Sequence, residues 1–151
     1  MENIINRNNI LKYKEKAFID GEYVVYYQPK YNLATGVMIG AEALTRWFSK
    51  EMGIVSPDQF IPVFEEDDSI IKLDLYVFEK ICRFLAKCKE NKYYMAPISV
   101  NLTRRDLFSD GFIEKINKIV DYYDVDTSYI NFEITESSAL GSTETINTII
   151  K

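Results

Sequence analysis

The chain is expected to fold as an α/β protein, the front part of a truncated TIM-type β/α barrel whose first strand runs antiparallel to the rest. Three observations predict this. Two runs, Tyr23 to Lys30 and Val37 to Leu44, lie so close across Asn32-Leu33-Ala34-Thr35-Gly36 that they should pair as an antiparallel hairpin. Later strand-like runs are separated by helical periodicities, which implies parallel pairing through right-handed crossovers. Finally, the chain has 151 residues, whereas a complete barrel takes about 250.

Each element has a local cause. Met1 to Lys16 is polar, with Ile4, Ile5, Leu11 and Ala17 at loose helical spacing. It predicts a short helix or the tail of a linker, ending at Asp20-Gly21, so that residues 1–20 stand apart from a domain over 21–151. Val and Tyr enrichment predicts the first strand, and alternation the second. Ser56-Pro57-Asp58-Gln59 then supplies an N-cap serine, a proline at the first helical position and a glutamine to close a capping box. That helix turns Phe60, Val63 and Phe64 inward and ends at Glu65-Glu66-Asp67-Asp68, expected to be a solvated helix end. A longer helix over Ser69 to Lys89 carries an apolar stripe of Leu73, Val77, Ile81, Phe84 and Cys88. Pro97 to Leu102 is the third strand, Thr103 to Asp106 a cap for a short helical turn, and Phe112, Ile116, Ile119, Val120 and Tyr123 stripe a further helix. Tyr129 to Glu136 is the fourth strand, followed by a helix opening at Ser142-Thr143-Glu144.

Composition bounds the function. With 47% hydrophobic and 27% charged residues, the balance is that of a soluble globular domain. A net charge of −5 without a long basic run argues against duplex nucleic acid as a partner. No apolar run approaches the ~18 residues needed to span a membrane, and the start lacks a secretory signal. Cys82 and Cys88 are expected to be buried reduced thiols, which suits a cytoplasmic location. The absence of histidine removes Ser-His and Cys-His nucleophiles and most zinc sites, leaving carboxylates, lysine, tyrosine or metal-bound water.

Polar residues gather at strand positions that a β/α barrel uses for chemistry. Gly40-Ala41-Glu42-Ala43-Leu44-Thr45-Arg46-Trp47 is expected to be a strand end passing into a loop. There Glu42 and Arg46 either form a buried ion pair or hold a metal and an anionic ligand together. Asn101 is an amide in an apolar strand, suited to bonding a neighbouring loop or to ligation. Glu133, between Phe132 and Ile134, should point into the barrel and needs a metal or an arginine partner.

Glu42-Ala43-Leu44-Thr45-Arg46-Trp47 resembles the signature of the EAL family, phosphodiesterases that cleave cyclic di-GMP to linear pGpG. The resemblance runs from Glu22-Tyr23-Val24-Val25-Tyr26-Tyr27-Gln28-Pro29 to Phe132-Glu133-Ile134-Thr135-Glu136-Ser137. It implies divalent metal at Glu42, Asn101 and Glu133, with Mg²⁺ or Mn²⁺ favoured by oxygen-only ligation. It also implies ligand contacts from Gln28, Leu44 and Arg46, and catalytic roles for Glu42 and, in support, Glu136. The family continues with an Asp-Asp-Phe-Gly strand, a lysine and further glutamates, none of which this chain contains, so half of a two-metal site is expected.

The expected function is therefore a piece of a metal-dependent cyclic di-GMP phosphodiesterase, inactive as this chain alone. The alternative is a degenerate cyclic di-GMP-binding or protein-interaction module. A concave apolar face lined by Ile98, Val100 and Phe132, together with open sheet edges, is expected to drive homodimer formation. An upstream signalling or cyclase domain would complete a full-length protein.

Overall fold

The computed structural model describes residues 4–134. In chain order it contains α1 (Arg7–Asp20), β1 (Tyr23–Tyr31), β2 (Met38–Ser49), β3 (Gly53–Val55), α2 (Pro57–Glu65), α3 (Ser69–Glu90), β4 (Ile98–Leu102), α4 (Arg104–Phe108), α5 (Phe112–Tyr123) and β5 (Ile130–Ile134). The helix expected at Ser142 lies outside the described residues.

The strands form one mixed sheet in the order β1-β2-β4-β5. β1 and β2 are the predicted hairpin, in register from Tyr23 opposite Trp47 to Tyr31 opposite Met38. β2, β4 and β5 are parallel, as strands joined through helices should be. β3 was not foreseen: it pairs antiparallel with the end of β2, Trp47 opposite Val55. Only three residues long, it is too short to carry a periodic pattern.

One face of the sheet is dry. Ala43, Trp47, Ile98, Val100, Leu102, Ile130 and Phe132 all point to the helices and are buried there. Phe132 meets Phe78 of α3 with ring centroids 5.5 Å apart. The expectation that Ile98, Val100 and Phe132 line an open concave face is therefore corrected. In a strand, neighbours alternate between faces, so the inward position of Glu133 already sends Phe132 the other way.

The core is densest around the hairpin. Tyr23, Trp47, Phe60 and Phe64 are fully buried and touch one another in tilted and edge-to-face contacts, centroids 5.2–6.4 Å apart. Full burial of side chains this large contributes on the order of 1.5–3 kcal/mol each. The polar tips are satisfied. The Tyr23 hydroxyl donates to the Lys14 carbonyl at 2.9 Å, and the Trp47 indole N–H donates to Glu22 Oε2 at 2.9 Å.

The α2 start behaves as its sequence demands, the Ser56 N–H donating to Gln59 Oε1 at 3.1 Å with Pro57 first in the helix. Phe60, Val63 and Phe64 are its buried residues. On α3 the stripe holds at Leu73, Val77, Ile81 and Cys88, but Phe84 is 41% exposed and Leu85 takes the core position. Phe84 follows Ile81 by three residues and so sits about 60° to one side of the stripe, whereas Leu85, four residues on, sits about 40° to the other side, nearer the core. Phe84 instead stacks on Tyr27 of β1 at 4.5 Å. Both cysteines are free and buried, and burial pushes the Cys82 thiol up to about 12.

The acidic run after α2 is more than a solvated end. Glu66 pairs with Arg7 at 2.5 Å, Asp67 with Lys14 at 2.5 Å and Asp68 with Arg105 at 3.3 Å. Lys14, buried on α1, also donates to Ser69 Oγ at 2.6 Å. These contacts fasten α1 and α4 to the α2–α3 junction.

Candidate functional site

The site lies on the sheet face away from the helices. Strand register decides its membership: Gln28 is opposite Glu42, Glu42 beside Ser99, and Asn101 beside Glu133. Residues paired across a sheet point to the same side. Gln28, Glu42, Ser99, Asn101 and Glu133 therefore share one surface. Lys30, two residues beyond Gln28, joins them.

Gly40 makes the approach of β4 to β2 possible. A Cβ there would lie 3.1 Å from the Pro97 carbonyl oxygen, which accepts from the Ala41 N–H at 2.9 Å. Glu42 follows directly. β2 pairs with β4 only at Ala41 and Glu42, and with β3 only from Trp47 onward. Between these, one edge of Ala43 to Arg46 has no strand beside it among the described residues, and the two parallel strands part. The signature stretch is thus strand throughout, which corrects the expected passage into a loop: the hairpin partner β1 holds it extended to its end.

The parting opens a cleft of about 260 Å³ lined by Leu44, Arg46, Ile70, Asp74, Asn101 and Thr103, among others. A hollow of about 340 Å³ at the start of β5, between Phe78, Val120 and Asn131, touches none of the described site residues.

Within the site, Asn101 Nδ2 donates to Glu42 Oε1 at 3.0 Å. No ion pair joins Glu42 to Arg46; the Arg46 guanidinium donates through Nη1 to the Thr45 carbonyl at 2.9 Å, leaving other N–H groups of its fork to a ligand. The Lys30 ammonium donates to Ser99 Oγ at 3.1 Å and to Glu133 Oε1 at 3.3 Å. Glu133 thus has a lysine partner where an arginine or a metal was expected. Hydrogen bonding with the Ser99 hydroxyl, then Lys30, holds the Glu133 carboxyl below the usual glutamate range, against partial burial.

The structure brings together Gln28, Glu42, Asn101 and Glu133 on the face, with Leu44 and Arg46 at the adjoining cleft. Glu136 lies outside the described residues. Lys30 and Ser99 were missed, although the two-residue period of each strand would have put Lys30 in line with Gln28 and Ser99 with Asn101.

The donor set fits a hard divalent cation. Glu42, Asn101 and Glu133 offer only oxygen ligands, and the Glu42 carboxylate, partly buried, has no positive partner among the described residues. No group of three acidic, cysteine or histidine side chains is placed to hold a metal ion among the described residues; the third donor here is an amide.

Known proteins resemble this part of the chain in sequence and in fold. The chain is 29% identical over 119 residues to the bifunctional diguanylate cyclase/cyclic di-GMP phosphodiesterase MucR of Pseudomonas aeruginosa, covering 79% of this chain and 17% of that protein. To the cyclic di-GMP phosphodiesterase PA2567 of the same species it is 29% identical over 131 residues, covering 87% and 22%. The chain thus spans about a fifth of the length of these relatives. Among solved structures, the MucR phosphodiesterase in complex with c-di-GMP superposes with a TM-score of 0.82 at 27% identity, covering 93% of this chain and 57% of that one. The cGMP-bound EAL enzyme Bd1971 gives 0.76 at 25% identity, covering 94% and 42%. The family model described as EAL domain matches residues 14–151, from within α1 onward, and so the chain belongs to the EAL domain family.

Proposed function

We propose that this chain carries the substrate-binding face and part of the metal site of a phosphodiesterase that opens cyclic di-GMP to linear pGpG. The observation that carries the reading is the convergence of Glu42, Asn101 and Glu133 on one sheet face beside a cleft bearing Arg46 and Leu44. The c-di-GMP complex of the similar MucR phosphodiesterase supports the choice of ligand.

Each side chain has a task its chemistry suits. Glu42, Asn101 and Glu133 would hold Mg²⁺ or Mn²⁺. When bound, such an ion lowers the pKa of water and neutralises charge on the phosphoryl oxygens. Arg46 offers a planar fork that grips one phosphate in two places. Leu44 gives the guanine an apolar wall. Gln28 supplies an amide donor and acceptor at the face, and Glu136 is assigned to support of the metal shell. Asn101, by donating to Glu42, fixes that carboxylate's orientation before any ligand arrives. Lys30 gives a second reading some support: a cation already placed on Glu133 suits a module that binds the dinucleotide without cleaving it.

The chain spans little more than half of the phosphodiesterase chain it superposes on, so binding without efficient turnover is expected, in a cytoplasmic setting and beside signalling or cyclase domains. Self-association through the outer strands β1 and β5 belongs to the same proposal and is read by light scattering.

Equilibrium dialysis with cyclic di-GMP, and Mn²⁺ binding followed by electron paramagnetic resonance, test the assignment. Arg46→Ala should weaken the dinucleotide at least tenfold, and Glu42→Gln should abolish Mn²⁺ binding while thermal stability holds. Wild-type affinity for both ligands in both variants would overturn it. Formation of pGpG at the usual enzyme rate of about 1–10³ s⁻¹ would overturn the expectation of inactivity.

A further inference from the structure

A second arrangement of acids lies in the helix layer, behind Asn101. Asp106, on α4, has no exposed surface. Its Oδ2 accepts from the Thr103 N–H at 2.6 Å and the Thr103 hydroxyl at 2.7 Å, closing the turn that leads from β4 into α4. Its Oδ1 is buried and has no ordinary donor. An orphaned carboxylate oxygen in such a place costs about 1–3 kcal/mol, and more when charged. Asp74 of α3, another carboxyl, interacts with Asp106 and, half-buried, also lines the cleft next to Arg46 and Asn101.

Two ionised carboxylates cannot share a desolvated spot cheaply. The surrounding charges do not relieve them. Glu65, at the end of α2, adds negative potential. Arg105 is turned to the Glu65 carbonyl and the Asp68 carboxylate. Arg46, across the cleft on β2, donates to the Thr45 carbonyl. No cation is bonded to either aspartate among the described residues. One proton solves both difficulties, because a neutral Asp74 O–H can donate to Asp106 Oδ1.

We propose that Asp74 and Asp106 share a single proton as a carboxyl–carboxylate pair that fastens α3 to the turn behind Asn101, making Asp74 a positioning residue for that turn. Burial, with the Asp106 charge next to it, pushes the Asp74 carboxyl well above the usual aspartate range. The direction of linkage follows. A group whose pKa is raised on folding stabilises the fold at low pH, and that contribution is lost as pH rises through its folded value.

The inference stands apart from the phosphodiesterase reading, since its test uses neither metal nor dinucleotide. The 151-residue chain is melted at pH 5.5 and 8.5 as wild type, Asp74→Asn and Asp74→Leu. Asp74→Asn keeps a donor for Asp106 at every pH. Its melting temperature relative to wild type should therefore rise between pH 5.5 and 8.5. Asp74→Leu lacks a donor and should melt below Asp74→Asn at both. Carboxyl ¹³C resonances of the wild type should show Asp74 protonated well above the ordinary midpoint of about 4. The Asn101 side-chain amide should shift with the same midpoint, and stay still in Asp74→Asn. A pH-independent difference between wild type and Asp74→Asn, failure of Asp74→Asn to fold, or an ordinary Asp74 midpoint would overturn the pair. An Asn101 amide that ignores the titration would overturn the positioning role.

Discussion

Glu22 offers a direct test of how the hairpin is locked. It is 7% exposed and accepts two hydrogen bonds, from the Trp47 indole at 2.9 Å and the Lys50 N–H at 3.3 Å. In Glu22→Ala the indole N–H of a fully buried tryptophan loses its acceptor. A hydrogen bond to a charged group contributes about 1.5–3 kcal/mol, and a stranded buried donor costs a similar amount. The two are one event counted from either side, so a loss of about 2–3 kcal/mol is expected, lowering the melting temperature by roughly 5–10 °C for a chain of this size. Glu22→Gln keeps an acceptor oxygen and should lose only about 1 kcal/mol. Trp47 is the only tryptophan, so its fluorescence reports both urea unfolding and the polarity around the ring. Trp47→Phe, followed by circular dichroism, completes a double-mutant cycle with expected coupling of about 1–2 kcal/mol. A loss below about 0.5 kcal/mol in Glu22→Ala would refute the reasoning, because it would mean the indole finds water or another acceptor.

Three further outcomes are expected. Leu85→Ala should cost about 2–4 kcal/mol in urea unfolding, while Phe84→Ala, partly in solvent and stacked on Tyr27, should cost about 1 kcal/mol. Asp67, hydrogen-bonded by Lys14 and lowered to about 2, contributes stability that is full above the ordinary aspartate range and lost as pH falls through about 2; Asp67→Asn should flatten the acid limb of a melting-temperature profile. Gly40→Ala, whose new methyl would press on the Pro97 carbonyl at 3.1 Å, should push β4 outward and speed hydrogen exchange at the Ala41 amide.

Much of the architecture was legible because local signals and pairing logic agreed. The Asn32–Gly36 turn, the Ser56-Pro57 start of α2 and the helical stripe after it each had a mechanism readable in a few adjacent residues. The site was legible only by strand. Glu42, Asn101 and Glu133 could be placed on strands, but the Asn101–Glu42 bond depends on how β2 and β4 are offset, which no single strand states. Lys30 and Ser99 were missed although alternation within each strand aligns them with Gln28 and Asn101; only the bond between the two depends on how the strands are offset. β3 is too short to announce itself, and Phe84 was assigned to the core because a three-residue step was taken from Ile81 where the helix buries the residue four on, Leu85. The Asp74–Asp106 interaction joins positions far apart in the chain, and an aspartate between Leu73 and Leu75 carries no local mark of its partner.

The odd separation of Glu42 and Trp47 has a consequence for how this stretch can vary. Five residues along an extended strand cover about 17 Å at roughly 3.3–3.4 Å each, and an odd count puts the two side chains on opposite surfaces. Trp47 is clamped by Glu22 and the aromatic cluster, so it cannot turn. The hairpin therefore works as a ruler with a parity rule. Substitutions between the two leave the ruler intact, whereas inserting or deleting one residue would swing the Glu42 carboxylate into the helix layer and bring Ala41 or Ala43 to the open face. Beyond the side chains that Leu44 and Arg46 present to the cleft, length is what the four residues from Ala43 to Arg46 have to conserve for Glu42 to stand on the open face.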